Sequence, residues 1–239
     1  MIVLPAMGGA QEAAWFALLD LYERHAENWT LIGGQMVHLH CAERAYAPQR
    51  PTTDADTVVN ARVPAVLGTV TSALVDLGFD PGKPSADGIQ HRWTRQSAII
   101  DVLIPEGTGE YAAKQQSASG FPTVAAPGGT QALQRSESVE VQVGNRTGMI
   151  RRPVLLSAMI MKAAARTETT GQGRERHCHD FAALAAVMAA DDTSAFQLKP
   201  KDKQRLRAMI GLTRAVPEAL EQNPIAKRRL VRLEALVSQ

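Results

Sequence analysis

Cysteine is scarce in this 239-residue chain: only Cys41 and Cys178 are present, too few for a disulfide framework, which points to a reducing compartment. No apolar run approaches the ~20 residues that a membrane span needs, so no membrane role is expected. Met1 to Ala10 lacks the basic lead of a signal peptide, and Glu12 soon interrupts the apolar stretch. From these absences a soluble cytoplasmic protein is expected. No internal repeat or low-complexity tract is present. With 45% hydrophobic and 21% charged residues, the chain is globular and long enough to bury a sizeable core as one large domain or two small ones.

Net charge is also small, at +2, but it is unevenly placed. Residues 1–150 carry ten basic and fifteen acidic side chains, and residues 151–239 carry sixteen basic and nine acidic. A basic back half could attract a polyanion; it could equally be a set of solvated helix faces.

Hydrophobic spacing divides the chain into a small mixed domain over residues 1–152 and a helical one over 153–239. The pattern predicts a helix from Ala10 to His25, a strand at Trp29–Ile32, a Gly33-Gly34 turn and a helix from Gln35 to Arg44. A loop with Pro48 and Pro51 leads to a strand from Asp54 to Val59, then a helix opened by Pro64. Strands are expected at Ile89–Thr94 and Ala98–Ile104, a long loop from Pro105 to Glu137, and a hairpin around Gly144-Asn145. Four helices should follow near 154–167, 176–190, 199–215 and 224–238, with breaks at Gly171–Gly173, Pro200 and Pro217–Pro224.

Chemistry concentrates in Asp54-x-Asp56 and Asp101. Side chains two apart on a strand share a face, and two carboxylates there repel unless a cation lies between them. Asp101 sits inside the apolar run Ile99-Ile100-Asp101-Val102-Leu103, where an unpaired charge is costly, so it should meet a cation or ionise reluctantly. If the two strands are neighbours, the three carboxylates can converge on a metal pair suited to in-line phosphoryl chemistry. Hard oxygen ligands favour Mg²⁺ or Mn²⁺. Gly33 and Gly34 would let backbone N–H groups approach a phosphate at a helix N-terminus.

The ordered set of strand, Gly-Gly, helix, D-x-D strand and lone aspartate resembles the nucleotidyltransferase fold of the DNA polymerase β superfamily. More narrowly, Leu31-Ile32-Gly33-Gly34-Gln35-Met36-Val37-x-x-His40 with Arg50-Pro51-Thr52-Thr53-Asp54-Ala55-Asp56 resembles the AbiEii/AbiGii-type toxin nucleotidyltransferases. So do Pro153, the helix carrying Lys162 to Arg166, and Arg176-His177-Cys178-His179-Asp180-Phe181, although His177 replaces the first aspartate of that signature. Gln35 stands where many superfamily members have Ser or Thr, so contact with a triphosphate there falls to backbone or another side chain.

The resemblance implies an α+β protein: a nucleotidyltransferase-fold domain, built on a small mixed sheet with flanking helices, followed by an α-helical C-terminal domain. It implies transfer of a nucleoside monophosphate from an NTP to RNA, with the tRNA 3′ end as first acceptor, in a toxin opposed by a separate antitoxin. Asp54, Asp56 and Asp101 would be the metal and catalytic carboxylates; Gly33, Gly34, Thr53 and Lys162 would meet the nucleotide; Asp180 would belong to the active site. Other readings stand beside these. Lys162 could be a snorkelling surface lysine, Asp180 could pair with Arg176 one turn earlier, and Thr53 could only set the turn. Arg50 and Thr52 could steady the loop or touch nucleotide, and His38 and His40 could be core or rim histidines. His177-Cys178-His179 suggests zinc, but adjacent helical residues diverge and no second ligand cluster exists. The basic tail (Lys199, Lys201, Lys203, Arg205, Arg207, Lys227, Arg228, Arg229) would suit an RNA backbone. Two alternatives keep the fold: an aminoglycoside-type antibiotic nucleotidyltransferase, and a non-catalytic protein that binds nucleotide or a partner.

Overall fold

The computed structural model describes residues 1–47, 50–168, 173–194 and 197–238; the expected breaks at Pro48 and Gly171 lie outside them. Ile2–Val3 forms β1, an element too short to show a pattern in sequence. Gly9–Arg24 is α1, which buries Trp15, Leu18, Leu19 and Leu21. Trp29–Ile32 is β2, buried throughout, and it runs directly into α2, Gly33–Glu43. The glycine pair is therefore the first step of the helix and not a separate turn.

Ala55–Val59 is β3, with Asp54 just ahead of it. Val66–Asp76 is α3; it begins after Pro64, because Ala65 takes a left-handed φ of 63°. Asp80–Pro81, Arg92–Arg95 and Ala98–Pro105 are β4, β5 and β6. The long loop expected after Pro105 contains three short elements: α4 (Gly109–Ala113), β7 (Ala125–Ala126) and α5 (Gly129–Gln134). Ser136–Val143 and Arg146–Pro153 are β8 and β9, joined at Gly144-Asn145 with Gly144 at φ 56°. Helices then follow at Leu155–Glu168, Arg176–Val187, Asp191–Ser194, Pro200–Arg214, Pro217–Glu221 and Pro224–Ser238, numbered α6 to α11.

The main sheet runs β2-β3-β6-β5-β4, with β7 beside the end of β6, and a second sheet runs β1-β8-β9. β3 and β6 are parallel, while β2 and β5 flank them antiparallel. The architecture is α+β, two small mixed sheets with flanking helices and a helical C-terminal region. One apolar core is continuous from Trp15 and Trp29 through Trp93 to Phe181, Leu206 and Leu233, so α6 and α7 are held against the sheet region by burial, the dominant favourable term in folding. No helix among the described residues is long and apolar enough to cross a membrane.

The basic tail is not one uniform surface. Arg205 is buried at 3% exposure, 2.6 Å from Glu168 and 3.3 Å from Glu106. Arg207 donates to the Val237 carbonyl, and Lys201 lies 3.7 Å from Glu168. The expectation that Arg205 faces a polyanion is thus corrected: a run of basic residues on a helix distributes itself around the helix, and this one faces inward.

Candidate active site

Strand register lines up the chemistry. Ile32 on β2 pairs with Asp56, Asp56 pairs with Asp101 on β6, and Asp101 pairs with Arg92 on β5. A single rung across four strands therefore carries two carboxylates and a guanidinium. Asp54, two residues before Asp56, falls on the same face, and carboxylate oxygens of Asp54, Asp56 and Asp101 all lie within 4.8 Å of one another. Asp101 is buried.

The start of α2 closes over this rung. Gly33 has φ 71°, and a Cβ there would sit 1.8 Å from Asp56 Oδ2; one on Gly34 would sit 2.5 Å from Thr52 Oγ1. The glycines let a helix N-terminus, with its unsatisfied N–H groups, stand directly against the acidic strand. Gly33→Ala is expected to force Asp56 aside and cost about 1–3 kcal/mol, from strained φ and steric overlap. Urea denaturation of the two proteins measures it, and an unchanged midpoint would refute the close approach.

Asp56 titrates abnormally. Burial, then the neighbouring charges of Asp54 and Asp101, push its carboxyl from 3.8 up to about 6. A cluster that resists full ionisation calls for added positive charge. One cation is already there: Arg92 donates from Nε to Asp101 Oδ1 at 2.9 Å and from Nη2 to Asp101 Oδ2 at 2.7 Å, with Asp54 3.9 Å away. Three hard oxygen donors, one of them deeply buried, also fit a divalent ion such as Mg²⁺ or Mn²⁺.

Beside the carboxylates, Lys162 from α6 is buried and donates to Asp180 Oδ2 at 2.7 Å. Arg50 holds the same carboxylate through Nε at 3.0 Å and Nη2 at 3.2 Å. Asp180 therefore pairs with Lys162 and Arg50, not with Arg176. The cause is packing: Arg176 is exposed, whereas α7 turns Asp180 inward. Burial alone would raise the Asp180 carboxyl, but the Lys162 charge and the Arg50 hydrogen bond outweigh it and hold it at about 2. Lys162 is no snorkelling surface residue; it lines the same polar cleft of about 300 Å³ as Gly33, Asp54, Asp101 and Asp180.

Thr52, not Thr53, lines this cleft and donates to Asp54 Oδ1 at 3.2 Å; Thr53 is exposed. Gln35 points the other way, accepting from Gln11 and Trp15 at 3.0 Å and donating to the Thr52 carbonyl at 3.2 Å. It buttresses the Thr52–Asp54 loop from behind. His38 donates to the Arg50 carbonyl at 2.8 Å and His40 to the Pro153 carbonyl at 3.0 Å. The three residues of the zinc-like triplet diverge: Cys178 is in the core, His179 meets Gln222, and His177 faces the cleft. Burial, then Lys162 and Arg176, lower His177 to about 3, so its ring is neutral at pH 7.

Arg92 escaped sequence reasoning. The expectation that Asp101 should meet a cation pointed to it, but the partner could be named only once the β5–β6 register was known. A second cavity of about 310 Å³ adjoins the cleft, with Ile32, Met36, Leu103, Ala126 and Met161 as apolar walls and Asp56 and Lys162 at the junction.

No family model matches the chain, and no curated protein matches it in sequence. Among solved structures, it is similar to an antigenic nucleotidyltransferase-like protein from Paracoccidioides brasiliensis, with a TM-score of 0.51 over 91% of this chain and 95% of that one, at 11% identity. The fold is nucleotidyltransferase-like. The antibiotic-resistance factor ANT(2'')-Ia also aligns, over 89% of this chain and 97% of that one, with a TM-score of 0.47 and 11% identity.

Proposed function

We propose that this protein is a divalent-metal-dependent nucleotidyltransferase that moves a nucleoside monophosphate from an NTP to an RNA hydroxyl, the tRNA 3′ end first, releasing pyrophosphate. We further propose that it acts as the toxin of a toxin–antitoxin pair, opposed by a separate antitoxin protein, as in the AbiEii/AbiGii-type enzymes whose motifs it resembles. The observation that carries the reading is the convergence of Asp54, Asp56 and Asp101 beneath a helix N-terminus. Phosphoryl transfer needs positioning and charge neutralisation more than covalent help, and that is what this cleft is built from.

In this reading Asp54, Asp56 and Asp101 hold Mg²⁺ or Mn²⁺, which when bound neutralises charge building on the transferring phosphoryl group. The Gly33 and Gly34 backbone and Lys162 bind phosphates. Asp180, itself held by Arg50, fixes Lys162 in place, and in this reading Asp101 takes the acceptor hydroxyl's proton. The adjoining cavity, with apolar walls and a charged side that includes Arg176 and His177, would take the nucleoside. The cleft straddles a boundary that we place at residue 152/153, with the carboxylates on one side and Lys162 and Asp180 on the other.

The test offers labelled NTPs to the protein with total RNA or with aminoglycosides. Label is expected in RNA of tRNA size. Changing the basic residues Lys203, Lys227 and Arg228 to Gln should raise KM for RNA about tenfold and flatten its salt dependence, because fewer phosphate counterions are released. KM for NTP should stay level. Label in aminoglycoside instead would select the antibiotic-modifying alternative, and NTP binding without transfer would select the non-catalytic one.

A further inference from the structure

Asp101 and Arg92 form a fork-to-fork pair, with both carboxylate oxygens occupied at 2.9 and 2.7 Å. The same guanidinium stands 3.9 Å from Asp54, so it fills the space between two of the three carboxylates. The partners differ in freedom. The Asp101 side chain is 8% exposed and the Arg92 side chain 45%. Asp101 has little contact with water, whereas the more exposed Arg92 side chain has room to swing away.

The Arg92 backbone is pinned meanwhile. Its carbonyl accepts from Gly82 N–H at 2.7 Å, and β5 is paired on both sides, with β4 and β6. Leaving Asp101 would therefore cost the fold no backbone hydrogen bond. Asp101, however, must always have a positive partner, since a buried carboxylate without one is strongly disfavoured.

We propose that Arg92 is a built-in competitor for the metal position at Asp101: a divalent ion gains that ligand only as the guanidinium leaves it. The proposal rests on the metal-dependent reading above. Arg92 is a positioning residue, and it makes ion binding at Asp101 weaker than three carboxylates alone would give. The arrangement keeps the acceptor-activating carboxylate neutralised until an ion replaces the guanidinium, which binds Asp101 with directional bonds but offers no open coordination site.

The experiment is Mn²⁺ binding to the full-length protein without nucleotide, followed by electron paramagnetic resonance and by the thermal shift that Mn²⁺ produces. Arg92→Gln is expected to tighten Mn²⁺ by about tenfold or more, the scale at which residues behind a metal site act. Adding Asp101→Asn to Arg92→Gln should abolish the gain. Arg92→Lys, which keeps the charge but cannot occupy both oxygens, should tighten Mn²⁺ about threefold and covers the case in which the Gln variant does not fold. Equal Mn²⁺ affinity in wild type and folded variants overturns the proposal and leaves the metal reading intact. Absence of bound Mn²⁺ in every protein overturns the metal reading itself.

Discussion

Asp54→Asn and Asp56→Asn are each expected to lower nucleotide transfer by about 10³-fold or more, because each removes a carboxylate from the only acidic triad found among the described residues. The fold should survive. In the metal-free protein Asp56 is held up at about 6 by burial and by Asp54 and Asp101, so its charge opposes folding at neutral pH. Asp56→Asn should therefore stabilise the metal-free protein by about 1–3 kcal/mol at pH 7, a range reduced for the partial exposure of the site.

The sign follows from proton linkage. Between pH 3.8 and about 6 the folded state keeps a proton on Asp56 that the unfolded chain has released, so this residue's contribution to stability falls as pH rises through that window. The difference between Asp56→Asn and wild type should accordingly be largest above pH 6 and vanish below about pH 4. Chemical denaturation at several pH values in EDTA measures it, with turnover assayed in parallel in Mg²⁺. A variant that keeps near-normal turnover would remove the metal assignment, and a pH-independent difference would remove the electrostatic account of the cluster.

The second large effect concerns the buried Lys162–Asp180–Arg50 cluster. Asp180→Ala leaves Lys162, at 5% exposure, without its 2.7 Å partner. Breaking a buried pair from one side typically costs about 3–5 kcal/mol, and that loss is expected here. Lys162→Met is expected to cost less stability, about 1–2 kcal/mol, because Arg50 still holds both oxygens of Asp180. Its turnover should nonetheless fall about 10²–10³-fold, since the fixed charge on the phosphates is gone.

The double variant Lys162→Met with Asp180→Leu separates the two roles. Replacing both partners with apolar groups should recover much of the stability lost in Asp180→Ala, although Arg50 then lacks its carboxylate. Turnover should not recover at all. Recovery of turnover in the double variant would mean that the cluster is structural and that Lys162 does not meet the triphosphate.

Some of this was legible in the residues alone. Asp101 in an apolar run and the Asp54-x-Asp56 spacing marked both a shared face and the need for a cation, because strand period and the cost of a buried charge are local rules. The glycine pair before a helix and the four C-terminal helices were equally local, being set by chain flexibility and apolar spacing. What the sequence could not supply was register. Only the β3–β6 and β5–β6 pairings bring Asp56, Asp101 and Arg92 onto one rung, and a one-residue slip would have sent them to opposite faces.

The short elements β1, β7 and α5 were invisible because a few residues cannot display a period. Arg205 looked like surface charge, yet tertiary packing buried it against Glu168 and Glu106. For Asp180 the sequence left open an active-site role and a pairing with Arg176; α7, packed on α2 and α6, turns it toward Arg50 and Lys162. Thus the sequence by itself determined that Asp101 carries charge into apolar surroundings and which of the longer segments are helix or strand. The tertiary structure decided which opposite charge each one meets, since that partner comes from a distant part of the chain and is chosen by strand register and helix rotation.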